Sequence, residues 1–299
     1  MAVHDRTRLI GSINKKGLRL LAKALLCQNQ EVYMRYAFDH DYHIHSYLSS
    51  CSKDPEQTAE RILAYAEENG LKSICVTDHL WDKAVPGASG WYMKQNIEHV
   101  SEILPLPQSD KVNFYFGCET ELDKFMTLGL AKENFDKFDF IIIPFTHLHM
   151  KGFTIDEDKS NREGRAAAYV SRLKAVLNMD LPFYKVGIAH PTCSLIASEE
   201  WKEHIAVIDS ISDDTYGELF TLAAEKGVGI ELNFSVDKYE KDDLEKILRP
   251  YRIAKEKGCK FYIGSDAHHP APLDAAKERF EKVIDALELE EGDKFRPFG

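Results

Sequence analysis

The sequence predicts an α/β fold in which a parallel sheet of seven strands closes into a (β/α) barrel. Short apolar segments alternate with helices or helix-length connections along the chain, which is typical of a parallel sheet. These segments are apolar almost without interruption, as strands covered on both faces are. A His, Asp or Glu follows at least six of them, and only a closed barrel brings so many strand ends to one mouth.

The elements follow one another in a regular order. Asp54-Pro55-Glu56 combines a cap residue, a proline and an acidic side chain, which predicts a helix that ends at Asn69-Gly70. Further helices are predicted near residues 93–103, 165–177, 215–226, 242–257 and 273–287. Strands are predicted at residues 38–45, 73–77, 113–116, 139–145, 184–189, 229–233 and 260–263.

Two regions are predicted along the chain. Residues 1–37 form an N-terminal helical extension, because Leu18, Leu21 and Leu25 repeat at helical spacing. We expect this helix to run to about Tyr36 and to pack over one end of the domain. Residues 38–299 then form a single barrel domain.

Composition excludes several classes of protein. The net charge of −11 argues against a nucleic-acid partner and against binding to an anionic membrane. No apolar segment is long enough to span a bilayer. The six cysteines are scattered and no secretory signal precedes them, which predicts a cytoplasmic protein. The sequence makes no prediction of oligomeric state.

Metal-ligating residue types recur at the strand ends. Side chains alternate in a strand, so His43 and His45 are expected to point the same way and Tyr42 and Ile44 into the other layer. Any one of these histidines alone has a simple structural explanation, but their recurrence favours a metal site. The predicted ligands are His43, His45, His79, Glu119, His147, His190, Asp266 and His268.

Eight nitrogen and oxygen ligands are too many for one ion. They predict two or three divalent ions of the zinc, manganese or iron type, and not an all-oxygen calcium site. Glu119 is anionic and could bridge two cations. We expect His149 to belong to a substrate loop or to have no role, and His269 to point away from the ligands.

Six motifs follow one another along the chain, and each ends a predicted strand. Together they resemble the polymerase and histidinol phosphatase (PHP) family over about residues 38–270. The resemblance implies a distorted seven-stranded (β/α) barrel that holds up to three divalent metals and hydrolyses phosphoesters. The motifs are Asp41-Tyr42-His43-Ile44-His45, Thr77-Asp78-His79, Gly117-Cys118-Glu119, His147 at the end of the fourth strand, Ala189-His190-Pro191 and Gly264-Ser265-Asp266-Ala267-His268.

The resemblance also assigns ligands to separate metals. One metal is surrounded by His43, His45, Glu119 and Asp266. Glu119 bridges to a second metal, which it shares with His79 or with a loop ligand. The remaining positions are completed by His147, His190 and His268.

One departure from the family pattern concerns the loop after the first motif. Members usually carry a His or Asp there, whereas this chain has Ser49-Ser50-Cys51-Ser52. Two alternatives remain open. Either Cys51 takes over as a thiolate ligand and biases the site to zinc, or one metal position is weakened. Asp54 is a less favoured substitute because it is expected to cap a helix.

The resulting hypothesis is metal-dependent hydrolysis of a small phosphate monoester, with histidinol phosphate as one candidate. A water activated by two cations as hydroxide would attack the phosphorus. Asp266 or His268 would orient or deprotonate that water, and His190 or His147 would stabilise the leaving oxygen. In addition, Asp41 and Asp78 would orient imidazoles.

A phosphate clamp is predicted in the long loop after the fourth strand, formed by Lys151, Arg162 and Arg165. Two other functions remain possible on the sequence alone. One is amidohydrolase-like cleavage of a non-phosphate bond, which typically needs a bridging lysine for which the chain offers only weak candidates. The other is a metal-binding module without catalytic activity.

Overall fold

A computed structural model describes residues 34–198 and 200–298 of the chain. Most of the predicted N-terminal helical extension, residues 1–33, lies outside the described residues. Residues 34–37 are not helical, and Arg35 instead forms an antiparallel bridge with Glu290. The proposed division at residue 37 therefore stays a prediction.

The sheet has the predicted parallel order, and the predicted seven-stranded barrel is confirmed. Its seven main strands pair in the order β1-β2-β4-β5-β6-β7-β8, and the two-residue strand β3 pairs with β4. Every pairing between these strands is parallel. The bounds are β1 (His40–Ile44), β2 (Ser73–Val76), β3 (His79–Leu80), β4 (Asn113–Thr120), β5 (Phe140–Pro144), β6 (Val186–Ala189), β7 (Gly229–Leu232) and β8 (Lys260–Ile263).

The barrel nearly closes where β1 meets the segment that follows β8. Ile44 and Ala267 form a parallel bridge. The backbone N–H of His45 donates to the carbonyl of Ala267 at 3.0 Å, and that of Asp266 donates to the carbonyl of His43 at 2.7 Å. This seam brings the first and last motifs of the sequence side by side.

Eight α-helices occur in the described part of the chain, mostly between successive strands. The first ends as predicted, because Gly70 adopts a left-handed conformation with φ of 69°. The bounds are α1 (Ala59–Asn69), α2 (Ile97–Val100), α3 (Arg162–Leu177), α4 (Glu203–Ser210), α5 (Asp213–Lys226), α6 (Lys241–Glu256), α7 (Pro270–Asp274) and α8 (Ala276–Ala286).

Three helix predictions differ from the structure. Helix α1 begins after Thr58, whose side chain accepts the N–H of Arg61 at 3.2 Å, so Asp54 does not cap it. The helix predicted at 93–103 is broken into short pieces, with α2 capped by the Asn96 side chain. Helix α4 was not predicted from the sequence.

Two hydrophobic layers lie on opposite sides of the sheet. The larger one packs the helices against the outside of the barrel and includes Ile44. The smaller one includes Tyr42, Phe140 and Tyr262 and fills the barrel interior. Strand β1 has an irregular register between Asp41 and Ile44, so Tyr42 and Ile44 face different layers and the expectation that they share one was wrong.

In residues 34–198 and 200–298, none of the helices is both long enough and apolar enough to cross a bilayer. The carboxyl ends of β1 to β8 meet at one mouth, as parallel strands in a barrel require.

Candidate metal centre

The structure brings all eight predicted nitrogen and oxygen ligands together at the mouth of the barrel. They form three groups, within each of which one nitrogen or oxygen atom per residue lies within 4.8 Å of the others. His45 belongs to two of the groups. The three groups are His45 with His79 and His268, His43 with His45 and Asp266, and Glu119 with His147 and His190.

Glu119 occupies the centre of this arrangement. Its Oε2 atom lies 2.8 Å from Nδ1 of His79, 3.4 Å from Nε2 of His45 and 3.5 Å from Nε2 of His43. Its Oε1 atom lies 3.2 Å from Nε2 of His190. One fully buried carboxylate therefore contacts four imidazoles, two from the end of β1, one from β3 and one from the end of β6.

The donor set fits divalent cations. Oε2 of Glu119 and Nδ1 of His79 are buried, and neither makes a hydrogen bond of acceptable geometry. Such atoms are costly to bury unless something else satisfies them. Nε2 of His43 and Nε2 of His45 also face each other at 3.0 Å. Convergent imidazole nitrogens and carboxylate oxygens are the ligands of zinc, manganese and iron sites.

The charges of the centre favour ionised carboxylates. Burial opposes ionisation of Glu119, but the neighbouring His79 and His43 hold its pKa well below the usual value. Burial likewise opposes ionisation of Asp266, but the neighbouring imidazoles, His43 above all, hold the pKa of this carboxyl group well below its usual value. Burial and the proximity of His45 lower the pKa of His268 to about 3, which leaves its imidazole neutral. Ionised carboxylates and neutral imidazoles are the forms that bind metal. Burial lowers the pKa of His45, but Asp266 and Glu119 outweigh it and raise that pKa to about 9, so a cation bound there would displace a proton from this ring.

Glu231 is a functional residue that the sequence analysis missed. Its Oε1 lies 2.6 Å from Nδ1 of His43, and its Oε2 accepts the backbone N–H of His190 at 2.5 Å. A Cβ atom at position 264 would lie 1.8 Å from Oε1 of Glu231, so only glycine fits there. Glu231 thus fixes the orientation of the His43 ring.

Glu121 is a second missed residue, two positions after Glu119. Its Oε2 lies 2.7 Å from Nδ1 of His147, and its Oε1 accepts a hydrogen bond from Arg172 at 3.0 Å. Glu121 and Arg172 are both fully buried. Glu121 therefore orients the ring of His147, and Arg172 of helix α3 in turn fixes the carboxylate of Glu121.

The two aspartates predicted to orient imidazoles behave differently. Asp78 acts through Ser49, whose hydroxyl donates to Oδ1 of Asp78 at 2.7 Å and lies 2.9 Å from Nδ1 of His45. Asp41 instead accepts the backbone N–H of Ser265 at 2.9 Å. Burial raises the pKa of Asp41 to about 6. Asp41 therefore ties β1 to β8 and does not orient a ring directly.

A cavity of about 560 Å³ opens over the centre. Cys51 lines this cavity but belongs to none of the three ligand groups, so the structure does not join it to the predicted ligands. The cavity also contains His149, for which the sequence left the role open. Its lining residues are Cys51, His79, Ser89, Trp91, Tyr92, Glu119, His147, His149, Met150, Phe153, Leu195, Asp266 and His268.

The predicted phosphate clamp does not line this cavity. Arg162 forms two hydrogen bonds of 2.8 Å with Glu203. Arg165 is buried and donates to the carbonyl of Ser160 at 2.6 Å. Lys151 is exposed, and its backbone pairs with that of a neighbouring residue in the loop. The physical reason is that both arginines lie within helix α3 rather than in the loop.

A smaller cavity of about 190 Å³ adjoins the centre at His190 and Asp266. Lys238 lines it, together with Asn233 and Tyr239. Of the described lysines and arginines, Lys238 alone lines either of the two cavities that contain predicted ligands. It follows β7 and was not recognised from the sequence, because it lies outside every motif.

Comparison with known proteins adds three findings. The sequence model of the PHP domain matches residues 41–235. A probable histidinol-phosphatase of Deinococcus radiodurans is 27% identical over 272 residues, which cover 80% of this chain and 91% of the relative. A crystal structure of the histidinol phosphate phosphatase of Lactococcus lactis, in complex with zinc, L-histidinol and phosphate, has a TM-score of 0.52 and 16% identity. The structural match covers 86% of this chain and 98% of the L. lactis chain. This likeness supports the barrel fold.

Proposed function

This chain belongs to the PHP domain family, and from that premise we propose that it hydrolyses a small phosphate monoester in a metal-dependent reaction. Family membership and the histidinol-phosphatase relative both support a metal-dependent phosphoesterase. The observation that carries the proposal is Glu119, whose carboxylate lies within 3.5 Å of four imidazoles at the barrel mouth.

The proposal includes three ion positions, one at each ligand group, with zinc as the preferred metal and manganese or iron as alternatives. Zinc is supported by the histidine-rich donor set and by the zinc in the L. lactis structure. Cys51 remains a candidate ligand only if the loop after β1 brings its thiol closer. We propose a cytosolic location, since the five cysteines among the described residues are all free.

Histidinol phosphate is the first substrate to test, because the D. radiodurans relative carries that activity in its name and the L. lactis protein binds L-histidinol and phosphate. The amidohydrolase-like alternative is less well supported. Glu119, and not a lysine, lies at the centre of the ligand groups. A metal-binding module without activity would not require the open cavity above the ligands.

Divalent ions held by these groups would lower the pKa of a water and neutralise phosphoryl charge. The chain's own residues orient the reaction around them. The Asp266 side chain is 25% exposed, and its Oδ1 lies 3.1 Å from Nε2 of His45, so an ionised carboxylate faces the cavity beside the ligands. We assign Asp266 the role of accepting a proton from the attacking water, with His268 beside it.

His190 is assigned to the leaving oxygen. Its Nδ1 lies 2.8 Å from Oγ1 of Thr146, which fixes the ring and leaves Nε2 facing the centre. His190 and Asp266 both have positive φ values, of 28° and 55°. Such backbone strain in residues other than glycine concentrates at functional sites, which supports these two assignments.

A chelation experiment tests the proposed function. We expect protein stripped with a chelator to release no phosphate from histidinol phosphate. Zinc or manganese should restore release, since the ligand groups have no other means of activating water. Phosphate release and metal content are measured on the same samples. If the metals bind and neither histidinol phosphate nor other phosphate monoesters are hydrolysed, the proposed function is wrong.

Lys238 is the proposed phosphate-binding cation in place of the predicted clamp. We expect Lys238→Ala to raise KM roughly tenfold with a smaller change in kcat, because a charge-assisted hydrogen bond to phosphate contributes about 1.5–3 kcal/mol. Steady-state kinetics of the variant and of Lys137→Ala, an exposed lysine outside both cavities, provide the measurement. An unchanged KM in the Lys238 variant would remove it from the site.

A further inference from the structure

The wall of the large cavity beyond the ligands is aromatic. We define it as Trp91, Tyr92 and Phe153. The ring centroids of Trp91 and Tyr92 lie 4.7 Å apart and those of Tyr92 and Phe153 5.7 Å apart. Trp91 also contacts the ring of His79 edge to face, at 5.1 Å. The aromatic wall therefore begins at a predicted ligand and continues to the open rim, where Trp91 is 40% exposed.

The charges of the cavity are confined to its floor. Among the residues that the structure describes, the charged ones that line it are Glu119 and Asp266, and both belong to the ligand groups. Glu121 lies behind His147 and is already paired with Arg172. A second anionic group on a substrate would find no cation on this wall, and a primary ammonium would find no free carboxylate. Each would lose its hydration without a partner, which is costly.

Neutral polar groups complete the rim. His149 and Ser89 line the cavity, and Nδ1 of His149 is buried without a hydrogen-bond partner. Met150 and Leu195 supply the remaining apolar surface. A cavity of about 560 Å³ accommodates a molecule the size of a single aromatic ring with a short side chain.

We propose that the organic part of the substrate is a neutral aromatic group that packs against Trp91 and Phe153, with the buried ring of Tyr92 supporting both from behind. This inference rests on the proposed phosphoesterase function and names its substrate class. The phosphate lies over the ligand groups, and the ring lies edge to face or offset against the aromatic wall. The wall thus selects a phosphorylated aromatic alcohol over a phosphorylated polyol or amino alcohol.

Four alkyl phosphates with similar leaving groups separate the possibilities: 2-phenylethyl phosphate, histidinol phosphate, choline phosphate and glycerol 3-phosphate. With zinc present, we expect kcat/KM for 2-phenylethyl phosphate to exceed the other three values by about tenfold or more, because a neutral ring packs against the wall whereas an ammonium group or a polyol finds no polar partner there. A preference for choline phosphate would indicate a cation held by the rings and would overturn the inference, as would a preference for histidinol phosphate.

Variants of the wall provide the second readout. Trp91→Ala should raise KM for 2-phenylethyl phosphate about tenfold and raise KM for glycerol 3-phosphate much less, because only the first substrate has a ring to pack at this position. Trp91→Phe should restore most of the affinity. Phe125→Ala is the matched control, because Phe125 is 78% exposed and lies outside the cavity. Equal effects of Trp91→Ala on both substrates would contradict the inference.

Failure of the inference and failure of the proposed function give different results. If glycerol 3-phosphate or histidinol phosphate is hydrolysed as well as the aromatic substrate, the inference is wrong and the phosphoesterase function stands. If none of the four releases phosphate in the presence of bound metal, both are wrong.

Discussion

Replacement of Glu119 by glutamine is expected to lower kcat on the order of a thousandfold, because cations at the site supply several kcal/mol of transition-state stabilisation and each 1.4 kcal/mol is a factor of ten. The substitution keeps the shape of the side chain and removes the charge that lies within 3.5 Å of four imidazoles. Metal content, measured on the purified variant, should fall together with kcat.

Glu225→Gln is the control for this experiment, since Glu225 is exposed on α5 and far in sequence from every ligand. It should match the wild type in kcat and in metal content. The central role of Glu119 would be contradicted if its glutamine variant bound the full complement of metal and turned over at the wild-type rate.

Arg172→Met is expected to produce the largest loss of stability. Arg172 is buried, pairs with Glu121 at 3.0 Å and donates to the carbonyls of Phe145 and Leu122 at 2.9 and 2.7 Å. Removing one partner of a buried ion pair leaves an uncompensated charge, so the free energy of unfolding should fall by about 3–5 kcal/mol. Urea-induced unfolding of the metal-free proteins measures the difference.

Two further variants make this result specific. Arg252→Met removes an exposed pair with Glu245 and should change the unfolding free energy by less than about 1 kcal/mol. The double variant Glu121→Leu with Arg172→Met should regain much of the lost stability, because an apolar pair can replace a buried ion pair. Its activity should stay low, since His147 loses the carboxylate that orients it. A stability of Arg172→Met within 1 kcal/mol of the wild type would contradict this account.

The fold, and the convergence of the eight predicted ligands at the barrel mouth, could be predicted because their signals are local. An apolar segment indicates a strand, and a predicted ligand follows it either directly, as His190 does, or three residues later, as Asp266 does. The parallel order of the sheet then brings these strand ends together. The helix at 93–103 was mispredicted for the same reason, since apolar spacing there outweighed the cap formed by Asn96.

The residues that were missed depend on contacts between distant parts of the chain. Glu231 lies within an apolar strand and acquires a role only through His43, 188 positions away. Glu121 is defined by Arg172, which sequence patterns assign only to a helix. Arg162 is the opposite case, a residue to which the sequence analysis gave a role that the structure does not support. Its charge and loop-like surroundings suggested a phosphate clamp, but its guanidinium pairs with Glu203. Sequence position indicates where a strand ends, but not which side chain lies across the barrel.

The most direct test of the metal centre is anomalous scattering from crystals of the zinc-supplemented protein, with data collected on both sides of the zinc edge. We expect anomalous peaks within the three ligand groups, with Glu119 contacting at least one of them. Peaks only at surface sites, with none within coordination distance of Glu119, His43 or Asp266, would contradict the account.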